Sequence, residues 1–379
     1  MGSAGSNPST RIRRWAANAA LIVVSFLSSL LALEIGVRFL DGKPIFSTEN
    51  FVLRVLDQVH NPVGVHYDPR VGWVPAPNIK SSGFTTGEYG VRMPSKDIVP
   101  LQQGAILMVG DSFGAGSEVV DADTWPAQLE RTLATQVINA AAGGYGLDQM
   151  VLRAEGLVPL LKPRVLLIQA RLDYAILANQ MSVSGGAPKP YFTVDEGELV
   201  LHNQPVPRAA SRVREIGWAS FLGHSYLLLY VMTRLNRLDA WLDPMRNKLV
   251  LSDEEALRVT CLLMRRIAKL RDEAHIRVAL VIQYSGDDAL EPKLSWEDDR
   301  ARVLACAHQQ GLEIADTLEV LRAVSGAGDL AAYQRLWVMH ENNRIYGHMS
   351  AHGNRMIADF LAKYLFSHEL SEAEKHQTR

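Results

Sequence analysis

The chain has 379 residues, enough for one large or two modest domains, and 47% hydrophobic with 21% charged residues is typical of a globular protein. With 39 basic and 41 acidic residues the net charge is −2, which gives no global electrostatic case for binding nucleic acid. Two cysteines, Cys261 and Cys306, exclude a disulfide framework and a structural zinc site. A single bridge in an oxidising compartment and two buried free thiols both stay open, and the thiols are favoured.

The N-terminus combines basic residues with a long apolar segment. Residues 1–14 include Arg11, Arg13 and Arg14, and residues 15–33 carry no charge. About 20 apolar residues cross a bilayer as a helix, and basic residues before a span favour a cytoplasmic N-terminus. We expect an uncleaved signal anchor, single-pass in the inner (cytoplasmic) membrane, with the main domain periplasmic or extracellular. A cleaved signal peptide and a core helix are the alternatives.

The rest of the chain changes character after the first hundred residues. Residues 34–103 are rich in proline and glycine and predict an extended arm, whereas residues 104–366 alternate apolar runs with helical stretches, apart from an insertion over 180–250. Apolar strands alternating with helices indicate a three-layer α/β/α domain with a parallel sheet. A polar tail follows at 367–379. The predicted strands lie at 105–109, 137–138, 165–168, 278–282 and 312–314, and the predicted helices at 124–134, 147–161, 253–274, 296–310 and 350–365.

The insertion interrupts this alternation. Residues 191–202 predict a hairpin that turns at Glu196–Gly197. Residues 216–232 predict an apolar helix, for which packing on the domain is favoured over a second membrane crossing.

A serine follows the first predicted strand of the domain. Residues 110–113 are Gly-Asp-Ser-Phe, which places Ser112 where open α/β sheets bind ligands. N–H groups at a nearby helix N-terminus favour an oxyanion. The four residues alone are a weak signal, because Asp-Ser also caps helices.

Further motifs follow in a fixed order. After GDSFGAGSE come NAAAGGYG at 139–146, RVLLIQARLDY at 164–174 and GHMSAHGN at 347–354. Together they resemble the SGNH (GDSL-type) hydrolase family, specifically its bacterial membrane-anchored branch. The resemblance covers most of residues 65–366. It implies a flavodoxin-like α/β/α SGNH hydrolase fold with a parallel sheet, preceded here by an N-terminal transmembrane helix.

The resemblance also implies roles for individual residues. Ser112 matches the nucleophile, and His348 matches the general base. The backbone N–H groups of Ser112 and Gly144 match oxyanion donors. Asp173 stands where the family has an asparagine donor to the oxyanion, although an ionised carboxylate would repel that charge.

A second position also departs from the family pattern. Ile345 stands where the family has the aspartate of Asp-x-x-His, and Glu341 is the nearest acid in the sequence. In serine proteases, loss of the orienting acid costs on the order of 10⁴ in rate. A Ser–His pair still works when a backbone carbonyl orients the imidazole.

Two other sets of side chains have simpler explanations. His340 and His352 flank the predicted base, but their spacing is a weak metal signal without a carboxylate partner. Trp73, Trp125 and Trp337 fit either a sugar groove or the core, and core packing is favoured.

These observations lead to one expected function and two alternatives. We expect an esterase or acyltransferase that acts through a Ser–His acyl-enzyme, without metal or cofactor, on O-acyl groups of an exported or cell-surface polysaccharide. The resemblance points to O-acetyl groups and to exopolysaccharide assembly proteins as partners, with the membrane bound through residues 15–33. The alternatives are a degenerate, non-catalytic module that binds glycan or scaffolds an export complex, and a lipid-ester hydrolase.

Overall fold

The computed structural model describes residues 8–47, 49–51, 64–208, 221–235, 237, 247–341 and 344–368. Contacts divide the chain into two compact units. The helical unit comprises the described residues of 1–58 and 210–245, and the α/β unit comprises those of 59–209 and 246–379. Most of the predicted polar tail lies outside the described residues.

Helices and strands are numbered in chain order. The helices are α1 (Pro8–Leu40), α2 (Ser112–Ala115), α3 (Trp125–Leu133), α4 (Leu147–Leu161), α5 (Leu172–Asn179), α6 (Tyr226–Arg234), α7 (Asp253–Ala274), α8 (Glu297–Gln309), α9 (Leu318–Ser325), α10 (Leu330–Gln334) and α11 (Ala351–Leu365). The strands are β1 (Val65–Asp68), β2 (Gly72–Pro75), β3 (Lys80–Ser81), β4 (Phe84–Thr85), β5 (Ile106–Val109), β6 (Val137–Asn139), β7 (Val165–Arg171), β8 (Met181–Ser184), β9 (Ala187–Pro188), β10 (Tyr191–Asp195), β11 (Glu198–His202), β12 (Lys248–Leu249), β13 (Arg277–Gln283), β14 (Glu313–Asp316), β15 (Trp337–His340) and β16 (Ile345–Met349).

In the helical unit, α1 presents an exposed apolar surface. Within its segment Arg13–Leu40, an 18-residue window has a mean hydropathy of 2.3 and contains no buried residue, and the segment is long enough to cross a membrane. This exposure argues against the core-helix alternative, whereas a membrane span and a signal sequence both fit it.

The second helix of this unit, α6, packs on α1. The carboxylate of Glu34 accepts hydrogen bonds from the Ser225 hydroxyl (2.9 Å) and from the N–H groups of Tyr226 and Leu227 (both 2.8 Å). These bonds satisfy donors at the start of α6 that have no partner within the helix. Of the helix predicted at 216–232, the described residues contain a turn at Gly223–His224 followed by α6, which contacts α1 in the helical unit.

The α/β unit is built on a five-stranded sheet with the order β14-β13-β7-β5-β6, in which all neighbours are parallel. The side chains of β5 are completely buried, because helices cover both faces of the sheet. α3 and α11 pack together, and α7 packs on α4, α5 and α8. The predicted α/β fold with a parallel sheet is confirmed.

The two cysteines form a disulfide between α7 and α8. Their Cα atoms are 5.3 Å apart, within the range a disulfide spans. The preference for free thiols in the sequence analysis was therefore wrong. Because Cys261 and Cys306 are 45 positions apart, only the packing of two helices predicted separately brings them together.

Residues before β5 and inside the insertion add smaller sheets. Residues 65–93 form the hairpins β1–β2 and β3–β4. Four side chains of this segment are buried in the core: Val71, Val74, Val91 and Met93. The predicted hairpin is present as β10 and β11, with Asp195 paired to Glu198 across the turn at Glu196–Gly197. β8 pairs with both β12 and β9 in a three-stranded sheet.

A buried ion pair anchors the β8–β9 hairpin to α4. Lys189 and Asp148 are each 0% exposed, and the ammonium also donates to the carbonyl oxygens of Ala178 (3.1 Å) and Met181 (3.2 Å). Burial raises the pKa of Asp148 and lowers that of Lys189, although their mutual attraction opposes both shifts. The hairpin is thus tied to the start of α4 and to the end of α5.

Candidate active site

Ser112 is the first residue of α2, and a set of hydrogen bonds fixes the turn before it. The Asp111 carboxylate accepts from the N–H of Phe113 (2.8 Å) and caps the helix. The side-chain oxygen of Gln169, on β7, accepts from the N–H groups of Asp111 (3.1 Å) and Gly114 (2.8 Å). The serine is therefore held at the carboxyl end of β5 by a neighbouring strand.

His348 lies opposite this serine. Its Nε2 is 2.9 Å from Ser112 Oγ. The histidine lies on β16, which pairs with β15, and the Phe113 ring is 5.1 Å from the imidazole. The structure thus brings together the two residues for which the resemblance implied nucleophile and base.

A third residue, absent from the sequence-based site, completes the arrangement. Glu118 Oε2 is 2.7 Å from His348 Nδ1 and also accepts from the backbone N–H of His348 (2.7 Å). A carboxylate only accepts hydrogen bonds, so Nδ1 carries the proton and Nε2 is free to accept the Ser112 hydroxyl. Ser112, His348 and Glu118 therefore have the connectivity of a catalytic triad.

The backbone of Glu118 is held in an uncommon conformation. Its φ is +69°, in the left-handed region that costs a non-glycine residue about 1–2 kcal/mol. Gly116, at φ +72°, turns the chain back after α2. A Cβ at Gly347 would lie 2.7 Å from Glu118 Oε2, so only glycine leaves room for this carboxylate. Strain of this kind clusters at functional sites.

His340, at the end of β15, binds the other oxygen of the same carboxylate. Its Nε2 is 2.7 Å from Glu118 Oε1, and its side chain is 47% exposed. Burial opposes ionisation of Glu118, but hydrogen bonds from His348 and His340 outweigh it and lower the pKa of the carboxyl. Glu118 is therefore ionised at neutral pH, as an acceptor to both imidazoles must be.

The loop after β6 lies against the serine. A Cβ at Gly143 would be 4.0 Å from Ser112 Cβ, and Gly144 has a φ of +77°, a conformation that favours glycine. Within the described residues, the N–H groups of Ser112 and Gly144 have no hydrogen-bond acceptor. Both donors are thus available to an oxyanion.

Asp173 is paired instead of free. Its Oδ2 is 2.5 Å from Nη2 of Arg171, whose guanidinium lies 5.2 Å from the centre of the Phe113 ring. Its Oδ1 is buried, with no partner in the described part of the chain. The ion pair stabilises the charged form of Asp173. A carboxylate has no N–H to donate to an oxyanion, unlike the asparagine that the family has at this position.

The three tryptophans separate into two groups. Trp125 and Trp337 are 0% and 3% exposed and belong to the core, as favoured from the sequence. Trp73 is half-buried, and its indole N–H donates to the carbonyl of Gly143 (3.0 Å). Trp73 therefore flanks the loop that carries Gly144.

No protein-family model and no curated protein matches this chain. Solved structures match it at low identity, with the acetyl xylan esterase AlAXEase 12% identical over 69% of this chain and 100% of that one, at a TM-score of 0.39. A member of the lipolytic protein G-D-S-L family from Veillonella parvula is 10% identical over 69% of this chain and 98% of that one, at a TM-score of 0.37. A lipase/acylhydrolase from Enterococcus faecalis is 11% identical over 69% of this chain and 95% of that one, at a TM-score of 0.36. The geometry of Ser112, His348 and Glu118, and not these similarities, is the basis for assigning a function.

Proposed function

We propose that this protein is a serine esterase or acyltransferase that uses Ser112, His348 and Glu118 to act on O-acyl groups of an exported or cell-surface polysaccharide. Acetyl, which the resemblance implied, is a small group of this kind. The observation that carries the proposal is the continuous line of hydrogen bonds from Ser112 Oγ through the imidazole to the Glu118 carboxylate.

The geometry supports acyl transfer in two halves. Ser112 Oγ attacks the ester carbonyl carbon while His348 Nε2 takes its proton, and the N–H groups of Ser112 and Gly144 stabilise the negative oxygen. The C–O bond to the sugar then breaks, and His348 protonates the leaving oxygen. Water or a second hydroxyl group, deprotonated by His348, then attacks the acyl-enzyme and releases Ser112.

Glu118 takes the role of the orienting acid, which the family motif would have at the position of Ile345. Its carboxylate fixes the orientation and tautomer of the imidazole and stabilises the imidazolium that forms. Asp173 takes no part as an oxyanion donor in this proposal, because Arg171 holds it as an ion pair. Two N–H donors remain, from Ser112 and Gly144.

Two features support an extracytoplasmic site. Disulfides persist in oxidising compartments, and Cys261 and Cys306 form one. In α1, Arg11, Arg13 and Arg14 precede the exposed apolar segment, and basic residues in this position favour a cytoplasmic N-terminus. We therefore propose a single-pass protein of the inner membrane with a periplasmic or extracellular α/β unit. Exopolysaccharide assembly proteins are proposed as its partners on the resemblance alone.

The test is turnover of acylated polysaccharide by the full chain in detergent, with and without an unacylated acceptor glycan. We expect release of free acid, or transfer to the acceptor, that is lost in Ser112→Ala and kept in Ser81→Ala, an exposed serine. A folded protein that binds the glycan with neither release nor transfer would contradict the proposal and favour the non-catalytic module.

A further inference from the structure

A cavity of about 680 Å³ opens beside the predicted oxyanion donor Gly144. A Cβ on this glycine would lie 3.6 Å from Trp73 Cζ2 and 3.9 Å from the Tyr174 hydroxyl, so two aromatic residues line the cavity next to Gly144. Gly143, which also lines the cavity, borders Ser112. Pockets of roughly 300–1,000 Å³ hold ligands far larger than an acetyl group.

The wall of this cavity is mostly apolar. Its described lining includes the aliphatic side chains of Val65, Leu177 and Met181 and the rings of Trp73 and Phe84. Burying apolar ligand surface against such a wall is favourable, by about 0.8 kcal/mol for each methylene in general. The wall therefore suits hydrocarbon.

The charged residue among the described lining, Arg92, is fully occupied. Its Nε donates to Asp121 (3.0 Å), and its two Nη atoms donate to the carbonyl oxygens of Ala115, Gly116, Gly83 and Val119 at 2.7–2.9 Å. These bonds use all five N–H groups of the guanidinium. An anionic group in the cavity would thus find no unpaired cation in the described wall.

Several polar groups of the wall are also paired. The Tyr174 hydroxyl is 3.3 Å from both Ser184 Oγ and the carbonyl oxygen of Gly144, and the Asn247 side-chain oxygen accepts from the N–H of Gly185 (3.1 Å). In the described wall, the Ser117 hydroxyl and the Asn247 amide N–H groups are free to bind a sugar, and the other hydroxyl groups of a buried ring would lose their hydrogen bonds to water, at a cost for each. The chemistry of the wall favours a hydrocarbon chain over a sugar.

The position of His348 assigns the cavity to one side of the ester. The leaving oxygen must lie beside His348, which protonates it, so the acyl substituent points elsewhere. None of the described residues that line the cavity comes from β15 or β16. The cavity therefore lies away from the leaving group, on the acyl side.

We propose that this cavity is an acyl pocket, and that the enzyme prefers a neutral acyl chain longer than acetyl. This inference rests on the proposed function and specifies its acyl group. The ester bond that breaks and the bond formed to Ser112 Oγ are unchanged, since only the chain attached to the carbonyl carbon differs.

The experiment is a series of p-nitrophenyl esters, from acetate through butyrate and hexanoate to octanoate, hydrolysed by the full chain in detergent. We expect kcat/KM to rise by up to about fourfold for each methylene that enters the cavity. The succinate monoester, which matches butyrate in length but carries a terminal carboxylate, should react at least about tenfold more slowly than butyrate.

A variant pair links the preference to the cavity. Leu177, on α5, lines the cavity and is 42% exposed, whereas Leu160, on α4, is 56% exposed and outside it. Leu177→Asp should lower the octanoate-to-acetate ratio of kcat/KM about tenfold or more, and Leu160→Asp should leave that ratio unchanged.

The outcomes separate this inference from the function beneath it. Turnover of acetate as fast as of octanoate, abolished in Ser112→Ala, would overturn the acyl pocket and leave the esterase proposal standing. A kcat/KM that is equal for all the p-nitrophenyl esters, together with a strong preference for acetylated oligosaccharide, would place the sugar in the cavity. This result would also overturn the acyl pocket. Absence of turnover for every ester, together with no reaction of Ser112 with a fluorophosphonate, would overturn both.

Discussion

Glu118 binds His348 twice, through its imidazole Nδ1 and its backbone N–H, both at 2.7 Å from Oε2. One carboxylate oxygen thus fixes both the ring and the strand that carries it. The acid comes from the turn six residues after the nucleophile, whereas the family motif places it three residues before the histidine. The acid thus occupies a different position in the chain from the one in the motif that the sequence resembles, and it contacts the predicted base directly.

Removing the charge of Glu118 should slow the reaction without unfolding the protein. Glu118→Gln keeps the size of the side chain but loses the carboxylate, and we expect kcat to fall by about 10²–10⁴. The matched control is Glu341→Gln, which changes the acid nearest to the base in the sequence and should leave kcat within about twofold. Steady-state hydrolysis of a p-nitrophenyl ester measures both. Equal losses in the two variants would contradict the triad.

His340 should act as a positioning residue. Because it holds the second oxygen of Glu118 at 2.7 Å, His340→Ala should lower kcat by about three- to tenfold with little change in KM. His340→Gln, whose amide N–H can replace the lost donor, should recover part of the rate. The kinetic constants of both variants, measured against acetate and octanoate esters, test this. A loss confined to KM would instead indicate contact with substrate.

The same carboxylate should make stability depend on pH. The folded state lowers the pKa of Glu118, so its stabilising contribution is present above the ordinary glutamate pKa and is lost as the pH falls through the lowered one. The difference in Tm between wild type and Glu118→Gln should therefore be present at pH 5 to 7 and shrink as the pH falls to about 3. Thermal unfolding across this range measures it, and a difference that grows towards pH 3 would have the wrong sign.

The buried pair Lys189–Asp148 should be costly to break. Lys189→Met leaves an unpaired buried carboxylate, and we expect the free energy of unfolding to fall by about 3–5 kcal/mol. Lys189→Met with Asp148→Leu should cost less than the single change. Arg265→Met, which removes the ion pair of Arg265 with Glu198 at 47% and 74% exposure, should cost less than about 1 kcal/mol. Denaturant unfolding measures the free energy of unfolding of all three variants. A loss in Lys189→Met as small as that in Arg265→Met would contradict the stabilising role of the buried pair.

The disulfide should be present in exported protein and should stabilise it. Unfolded, unreduced protein should show no free thiol, and Cys261→Ser with Cys306→Ser should lower the free energy of unfolding by about 2–4 kcal/mol. Thiol titration and denaturant unfolding measure these two quantities. Two titratable thiols in protein from the periplasm would contradict the bridge.

Much of the fold was predictable because its strands and turns are encoded by residues that are neighbours in the sequence. The strands that became β5, β7 and β13 are continuous apolar runs, and their complete burial follows from that pattern. The turn of the β10–β11 hairpin at Glu196–Gly197 was equally readable, since a glycine between two short strand-forming runs is typical of a hairpin turn.

The site was predictable only in part. Ser112, Gly144 and His348 lie in motifs, whereas Glu118 lies in no recognised position and reaches His348 across 230 residues of chain. A signal did exist, because a glycine-rich turn carries this acid directly after the nucleophile. Only the three-dimensional path of that turn, including its left-handed backbone at Glu118, shows where the carboxylate points. The disulfide was missed for the same reason.

The most direct measurement is the rate of fluorophosphonate labelling of the full chain, with the modified residue located by mass spectrometry. The account predicts an adduct on Ser112, no adduct in His348→Ala, and labelling slowed by about 10² or more in Glu118→Gln but not in Glu341→Gln. A folded wild-type protein that stays unlabelled, or that carries the adduct on another serine, would contradict it.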